Sequence, residues 1–170
     1  LEAARAAGVP LDEARVIYSG LRLEDFPFRS DEPFMGERIR LLLPGRIARV
    51  KAVELAFHVI AALKRIAPQR RFELTVAGHV SEQEYFTALK QLSNRLSVQG
   101  DVRFLEPLQH EQMASLYHAS EFCLFPSQQK EGLSRVTLEA MACGSLLLSA
   151  GNEGSHELID DGVTGYTLPF

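Results

Sequence analysis

Short apolar runs alternate with helical patterns along most of this 170-residue sequence, and that alternation restricts the fold more than any other feature. The run at residues 39–43 is apolar except at Arg40, which is typical of a parallel strand buried on both faces. Strand patterns occupy residues 39–43, 72–77, 102–105, 122–125, 146–148 and 166–168, and helical patterns occupy residues 52–67, 81–96, 111–119, 134–144 and 157–159. This order predicts an α/β fold, a Rossmann-like parallel sheet with helices on both faces and ligands at the carboxyl ends of its strands.

Composition narrows the class of protein further. Hydrophobic residues make up 46% of the chain and charged residues 24%, as is typical of a soluble globular protein. The net charge of −4 argues against a nucleic-acid partner, and no apolar run is long enough to span a bilayer. Cys123 and Cys143 each follow apolar neighbours in the sequence, so we expect two buried reduced thiols in a cytoplasmic protein. The five histidines have no spacing that indicates a metal site.

The stretch at residues 126–144 carries the strongest functional signal. A strand pattern runs into a polar loop, and the loop runs into a short apolar helix that stops at a glycine. Ser134 is expected to be the N-cap, and Gly144 is expected to end the helix in a left-handed conformation. The amides of residues 133–136 would then point out of the positive end of the helix, where a phosphate is well placed.

Two glutamates flank this expected anion site. An ionised carboxylate only accepts hydrogen bonds, so Glu131 and Glu139 are suited to hold sugar hydroxyls. The alternative for Glu139 is a surface ion pair with Arg135, four residues earlier, and the alternative for Glu131 is a solvated loop acid.

A second candidate segment follows the first predicted strand. Gly45 lets the backbone turn, and Arg46 and Lys51 can both swing towards a phosphate at the same sheet edge. The alternative is a pair of solvated cations near the start of a helix. Gly78 ends the second strand and is expected to be structural. No Gly-x-Gly-x-x-Gly pattern or Walker A loop supplies a phosphate site elsewhere.

A family resemblance rests on the pattern Glu131-Gly132-x5-Leu138-Glu139-Ala140-Met141-Ala142-x-Gly144. It is similar to the Glu-x7-Glu signature of retaining glycosyltransferases of the GT-B architecture, known as group 1 or family 4. The spacing from Gly45 to Lys51 likewise resembles the Gly-Arg-x4-Lys motif, whose cations bind the donor diphosphate in that family. The residue after the lysine is often glycine there and is Ala52 here. The resemblance implies the C-terminal half of a GT-B fold.

The resemblance also implies a role for each residue. Glu131 would hold donor-sugar hydroxyls, and Arg46 and Lys51 would neutralise the diphosphate, so these three are the catalytic candidates. Glu139 would hold the ribose hydroxyls. The donor-binding candidates are Gly45, Gly78, Leu105, Gly132, Leu133, Ser134, Arg135, Val136 and Glu139. We expect no metal and no other cofactor, because the two cations perform the charge neutralisation.

Domain organisation follows from the same resemblance. Residues 1–37, with a helix pattern at 1–7 and a strand pattern at 16–18, correspond to the tail of an N-terminal domain and the interdomain junction. Residues 38–170 correspond to a nucleotide-sugar-binding C-terminal domain. We expect a truncated chain that binds the donor but transfers little by itself, because the N-terminal domain of the family mainly holds the carbohydrate or lipid-linked acceptor.

The implied reaction is transfer of a hexose from a nucleoside-diphosphate sugar to an acceptor hydroxyl, with retention at the anomeric carbon. Two alternatives share the fold: a GT-B-shaped sugar-nucleotide epimerase and a nucleotide-binding module without catalysis. The sequence leaves open the nucleobase, the sugar, the acceptor and any peripheral association of the full enzyme with a membrane.

Overall fold

The computed structural model describes residues 2–10, 15, 17–18, 20–29, 36–127, 132–151 and 153–168. The strands are β1 (Arg38–Pro44), β2 (Arg71–Ala77), β3 (Val102–Leu105), β4 (Phe122–Phe125), β5 (Leu146–Ser149) and β6 (Gly165–Thr167). The helices are α1 (Glu2–Ala6), α2 (Val53–Ile66), α3 (Gln83–Arg95), α4 (His110–His118), α5 (Arg135–Ala142) and α6 (Glu153–His156), and short 3-10 turns lie at Leu23–Asp25 and Arg49–Lys51.

The strands of the described part pair in parallel in the order β3-β2-β1-β4-β5-β6. The sheet therefore starts in its centre with β1, grows outwards to β3, and then crosses back so that β4 lies beside β1. The loops after β1 and β4 leave in opposite directions and open a crevice at the carboxyl edge, where ligands of open α/β sheets bind. The predicted Rossmann-like parallel sheet is confirmed, and its switch point lies between β1 and β4.

Both faces of the sheet are buried. Successive side chains of a strand point to opposite faces, and helices pack against each face. On one face, Leu41 and Leu43 pack against α2 and α3. On the other face, Leu42 packs in a cluster with residues of α4 and α5. The expectation of helices on both faces is thus correct. Arg40, the polar residue within the apolar run of β1, makes a bidentate interaction with the buried carboxylate of Glu121, with Nη2 at 2.7 Å from Oε1.

The signature helix α5 begins and ends where the sequence indicates. Ser134 is the N-cap residue, but its hydroxyl makes no capping bond; its carbonyl accepts the first helical bonds, from Thr137 and Leu138. Gly144 has φ +78°, and two backbone bonds close the helix end, from Gly144 N–H to Met141 O and from Ser145 N–H to Ala140 O. These are the two bonds of a Schellman motif, so the predicted glycine stop is confirmed.

Three local predictions are wrong. Ile17 and Tyr18 are exposed and belong to no strand, while Val16 lies outside the described residues. Ser81 followed by Glu84 predicts a capping box at the start of the helical pattern 81–96. It does not form, because α3 starts after Glu82, whose side chain binds the loop that follows β1 instead. The last short helix is α6, ahead of the predicted residues 157–159, which form a turn that carries Ile159 into the core.

The segment before β1 packs on the second face of the sheet. Phe26 is buried and its ring contacts those of Tyr117 and His110 on α4. Arg29 donates from Nη1 to the His118 carbonyl at 2.9 Å. These contacts join residues 21–29 to α4, and the proposed division of the chain at residue 37 stays a prediction. No helix in the described part of the chain is long and apolar enough to cross a membrane.

Candidate functional site

The loops that follow β1 and β2 form one continuous platform at the carboxyl edge of the sheet. Gly45 N–H donates to the Ala77 carbonyl at 2.9 Å, and Ile47 N–H donates to the His79 carbonyl at 2.8 Å. Ile47 is buried and forms an isolated parallel bridge with Val80, so strand-like pairing continues beyond the ends of both strands. The platform fixes the backbone on either side of Arg46.

Gly78 is required by the way these two loops meet. Its φ is +155°, and a Cβ added there would lie 2.1 Å from the Gly45 carbonyl oxygen. Any other residue would force the two loops apart, because the atom in conflict belongs to the backbone. This contact accounts for the glycine without a ligand, so the structural interpretation of Gly78 is supported and its contact with a donor stays a prediction.

The cations of the Gly-Arg-x4-Lys segment differ in their settings. Arg46 is exposed, whereas Lys51 is half-buried at the end of a 3-10 turn. The next residue, Ala52, has φ +48° and ψ +46° and is the N-cap of α2. This is the left-handed region, which explains why a glycine suits the position after the lysine. Ala52 adopts the same left-handed conformation, with the strain that a Cβ causes there.

A cleft between the ends of β1 and β4 brings the two candidate segments together. Ser127 is buried, and its hydroxyl donates to the Val50 carbonyl at 2.8 Å, which ties the loop after β4 to the loop after β1. The described residues that line the cleft are Leu43, Pro44, Lys51, Leu124, Phe125, Pro126, Ser127, Gly132, Ser134, Val136 and Thr137. Lys51 therefore shares a cleft with the start of α5, as the shared sheet edge leads one to expect.

Glu139 is buried on the inner side of α5, with 5% of its surface exposed. Its Oε2 accepts a hydrogen bond from the Tyr117 hydroxyl at 3.0 Å, and its Oε1 lies 3.8 Å from Arg135 Nη2. Burial and the adjacent Glu139 carboxylate both raise the pKa of Tyr117, so this phenol stays protonated and remains a donor. The Arg135 ion pair foreseen from the sequence is therefore present but long, and Tyr117 is the closer partner.

Other predicted site residues are spread along the same edge. Leu105 ends β3 and is half-buried, and its carbonyl accepts the Gly78 N–H at 3.1 Å. Leu133 is half-buried and Arg135 is exposed at the start of α5. Glu131 lies outside the described residues. The donor-binding roles of these residues stay predictions.

Sequence reasoning missed the tyrosines of this region. Tyr117 and Tyr85 read as core residues of two amphipathic helices, and both are indeed buried. Only their tertiary partners show that the hydroxyls hold Glu139 and the start of α2. Within the ranges that the structure describes, no three histidine, cysteine or acidic side chains are grouped so that they could hold a metal ion.

Comparison with known proteins identifies the family. The family model described as glycosyl transferases group 1 matches residues 25–170. The D-inositol 3-phosphate glycosyltransferase of Frankia alni is 35% identical over 169 residues, which cover 91% of this chain and 40% of that protein. This chain thus spans well under half of that relative.

Solved structures show the same fold. HepE of Anabaena, in complex with UDP and glucose, superposes with a TM-score of 0.85 at 23% identity, covering 99% of this chain and 46% of HepE. The C-terminal domain of a group 1 glycosyltransferase from Francisella tularensis, LpcC, gives a TM-score of 0.72 at 18% identity over 88% of this chain and 80% of that domain. The parallel sheet is therefore the Rossmann-like half of a GT-B fold, and the chain belongs to the group 1 glycosyltransferases.

Proposed function

We propose that this chain binds the nucleoside-diphosphate sugar donor of a retaining hexosyltransferase. The observation that carries the proposal is the cleft at the β1–β4 switch point, which places Lys51 opposite the first residues of α5. A cation and the amino end of a helix that line one cleft form an electropositive site, which has the sign that a diphosphate needs. The relative HepE, which holds UDP and glucose in its crystal structure, supports the same ligand class.

Charge development during the reaction gives these groups their proposed role. When the bond between the sugar and the diphosphate breaks, negative charge grows on the leaving phosphate oxygens. Lys51, Arg46 and the amides at the start of α5 stabilise that charge more strongly in the transition state than in the ground state. Because these fixed positive groups neutralise the diphosphate, the proposed transfer needs no metal ion.

Carboxylates are proposed to orient the donor rather than to carry protons. Glu139 would accept hydrogen bonds from the ribose hydroxyls, and Glu131 would accept those of the donor sugar. The Tyr117 hydroxyl binds one oxygen of Glu139, so the other oxygen, Oε1, is the one proposed to face the ribose.

The rest of the activity is proposed from the family. An N-terminal half would supply the carbohydrate or lipid-linked acceptor site, so this chain alone would bind donor and transfer little. The two free thiols, both buried, are consistent with a reducing compartment, and we place the activity in the cytoplasm.

Calorimetric titration of the chain with UDP, GDP and ADP tests the proposal. We expect one diphosphate to bind equally well in EDTA and in magnesium. Lys51→Ala should weaken it by about 10- to 100-fold, the range for one charge-assisted contact. Lys64→Ala is the matched control, since Lys64 lies near the far end of α2 and interacts with Asp101. Absence of binding by all three nucleotides, or binding that requires magnesium, would contradict the proposal.

A further inference from the structure

The backbone that carries Lys51 is held by side chains at the start of α3. Glu82, just ahead of that helix, binds Arg49 twice: its Oε1 accepts the Arg49 N–H at 3.0 Å, and its Oε2 lies 3.4 Å from Arg49 Nε. The first contact fixes the main chain two residues before Lys51. The second keeps the Arg49 side chain directed towards α3, away from the 3-10 turn it begins.

Tyr85 holds the backbone on the other side of Lys51. Its buried hydroxyl accepts the Val53 N–H at 2.9 Å and donates to the Glu54 carboxylate, so one oxygen caps the first turn of α2. The Arg49 guanidinium lies over the Tyr85 ring, 5.4 Å from its centroid. Both ends of the turn are therefore attached to the same tyrosine.

Ala52 explains why such support is needed. A left-handed alanine persists only where its surroundings impose the conformation. Here the cap on Val53 acts from the α3 side and the Ser127 hydroxyl, bonded to the Val50 carbonyl, acts from the β4 side. Lys51 lies between these two attachments, so its direction into the cleft depends on them.

We propose that Tyr85, assisted by Glu82, is a positioning residue for the donor diphosphate. Neither side chain is among the described residues that line the cleft, so their effect on a ligand passes through the backbone of residues 49–54 and through Lys51. This inference rests on the proposed function, because it needs Lys51 to face a diphosphate. It adds to that function a second layer of residues, on a helix that carries no part of the signature motifs.

Replacing Tyr85 by phenylalanine tests the inference. Tyr85→Phe keeps the ring and removes only the hydroxyl. We expect affinity for the bound nucleoside diphosphate to fall about tenfold, while affinity for the matching monophosphate changes little. The decisive readout is the dissociation constant of the monophosphate divided by that of the diphosphate, which we expect to fall about tenfold. This ratio reports the contribution of the second phosphate alone, and a general loss of stability does not change it.

A double-mutant cycle tests whether Tyr85 affects diphosphate binding through Lys51. In the Lys51→Ala background, Tyr85→Phe should have almost no further effect, since the group it positions is gone. Ser93→Ala is the matched control: Ser93 is a buried residue of the same helix, and its hydroxyl bonds only to the Lys90 carbonyl among the described contacts. It should leave the ratio unchanged. Glu82→Gln, on the partly exposed side of the same attachment, should lower the ratio in the same direction as Tyr85→Phe by a smaller factor.

The possible outcomes separate the two proposals. If the unmodified chain binds a diphosphate but Tyr85→Phe and Glu82→Gln leave the ratio unchanged, positioning by α3 is wrong and the donor site stands. Full additivity of Tyr85→Phe and Lys51→Ala would have the same meaning. If the unmodified chain binds no nucleotide, the proposed function fails and the positioning role fails with it.

Discussion

At the scale of single residues, Ala52 shows what the loop after β1 costs the fold. Its left-handed backbone places Cβ against the carbonyl oxygen, at about 1–2 kcal/mol for a residue other than glycine. Glycine removes that strain but loses more entropy on folding, by about 0.5–1 kcal/mol. We therefore expect Ala52→Gly to raise the free energy of unfolding by about 0.5–1 kcal/mol, measured by urea denaturation.

Ser97 provides the control for this substitution. It has φ +56° just beyond the end of α3 and is not among the cleft residues. Ser97→Gly should stabilise the chain by a similar amount and leave nucleotide binding alone. A destabilised Ala52→Gly variant beside a stabilised Ser97→Gly variant would show that the turn at Ala52 is not left-handed in solution.

Motif spacing predicted the location of single residues better than their contacts. Gly45 and Lys51 lie at the edge of the sheet that the position of the first strand indicated. The need for glycine at position 78 could not be predicted from the sequence. The clash that Gly78 avoids is with the carbonyl of Gly45, which lies 33 positions earlier in the chain (78 − 45). The hydrogen bonds of Tyr85 and Tyr117 could not be predicted for the same reason, since a phenol on an apolar helix face indicates only a core residue.

At the scale of secondary-structure elements, the bond between Tyr117 and Glu139 links α4 to α5. Tyr117→Phe keeps the packing but leaves a buried carboxylate oxygen without its donor. Hydrogen bonds to charged groups contribute about 1.5–3 kcal/mol, so we expect the free energy of unfolding to fall by about that amount. Urea denaturation at neutral pH measures it.

Tyr166 is the matching control for this loss. It lies on β6 with nearly half its surface exposed, so Tyr166→Phe should change stability by less than about 0.5 kcal/mol. Equal stability of Tyr117→Phe and the unmodified chain would mean that water replaces the phenol, and that Glu139 is less enclosed than its position on α5 indicates.

Elements with a strong hydrophobic period were predicted well, and those set by polar contacts were not. The runs that became β1 to β5 and the amphipathic patterns of α2 to α5 carry their own signal, because burial on a sheet or a helix face imposes the period. The start of α3 fails this rule: Glu82 is drawn to Arg49 on another loop, which the local Ser81–Glu84 pattern cannot reveal. The short helix α6 likewise lacks a periodic pattern.

At the scale of the whole molecule, the sheet order determines where the chemistry lies. Parallel strands, helices on both faces and ligands at the carboxyl ends of the strands were all predictable from the alternation. The order β3-β2-β1-β4-β5-β6 supplies the remaining fact, since only adjacency of β1 and β4 brings Lys51 to the start of α5. Long-range strand pairing of this kind has no local sequence signal.

Two buried cysteines on the second face of that sheet should make the free energy of unfolding fall at alkaline pH. Cys123 and Cys143 are free thiols on this face, and burial raises the pKa of Cys123 to about 12 and that of Cys143 to about 11, from an ordinary 9.0. The folded chain thus keeps protons that the unfolded chain releases above pH 9. Stability from each thiol is complete below pH 9 and is lost as the pH rises through 9 towards the folded-state value.

Between pH 8 and pH 10 we expect Cys123 to lower the free energy of unfolding by about 1.4 kcal/mol. The unfolded thiol loses its proton over about one unit above pH 9, and one pKa unit corresponds to about 1.4 kcal/mol. Urea denaturation across this range should show that the free energy of unfolding declines less steeply with pH for Cys123→Ala than for the unmodified chain. The packing lost in Cys123→Ala lowers the free energy of unfolding at every pH and does not change this slope. The comparison stops at pH 10 because Tyr85 and Tyr117, whose pKa values burial also raises, would add to the slope beyond it. Parallel declines in the two proteins would show that water reaches Cys123, and that the core between the sheet and helices α4 and α5 is open on this side.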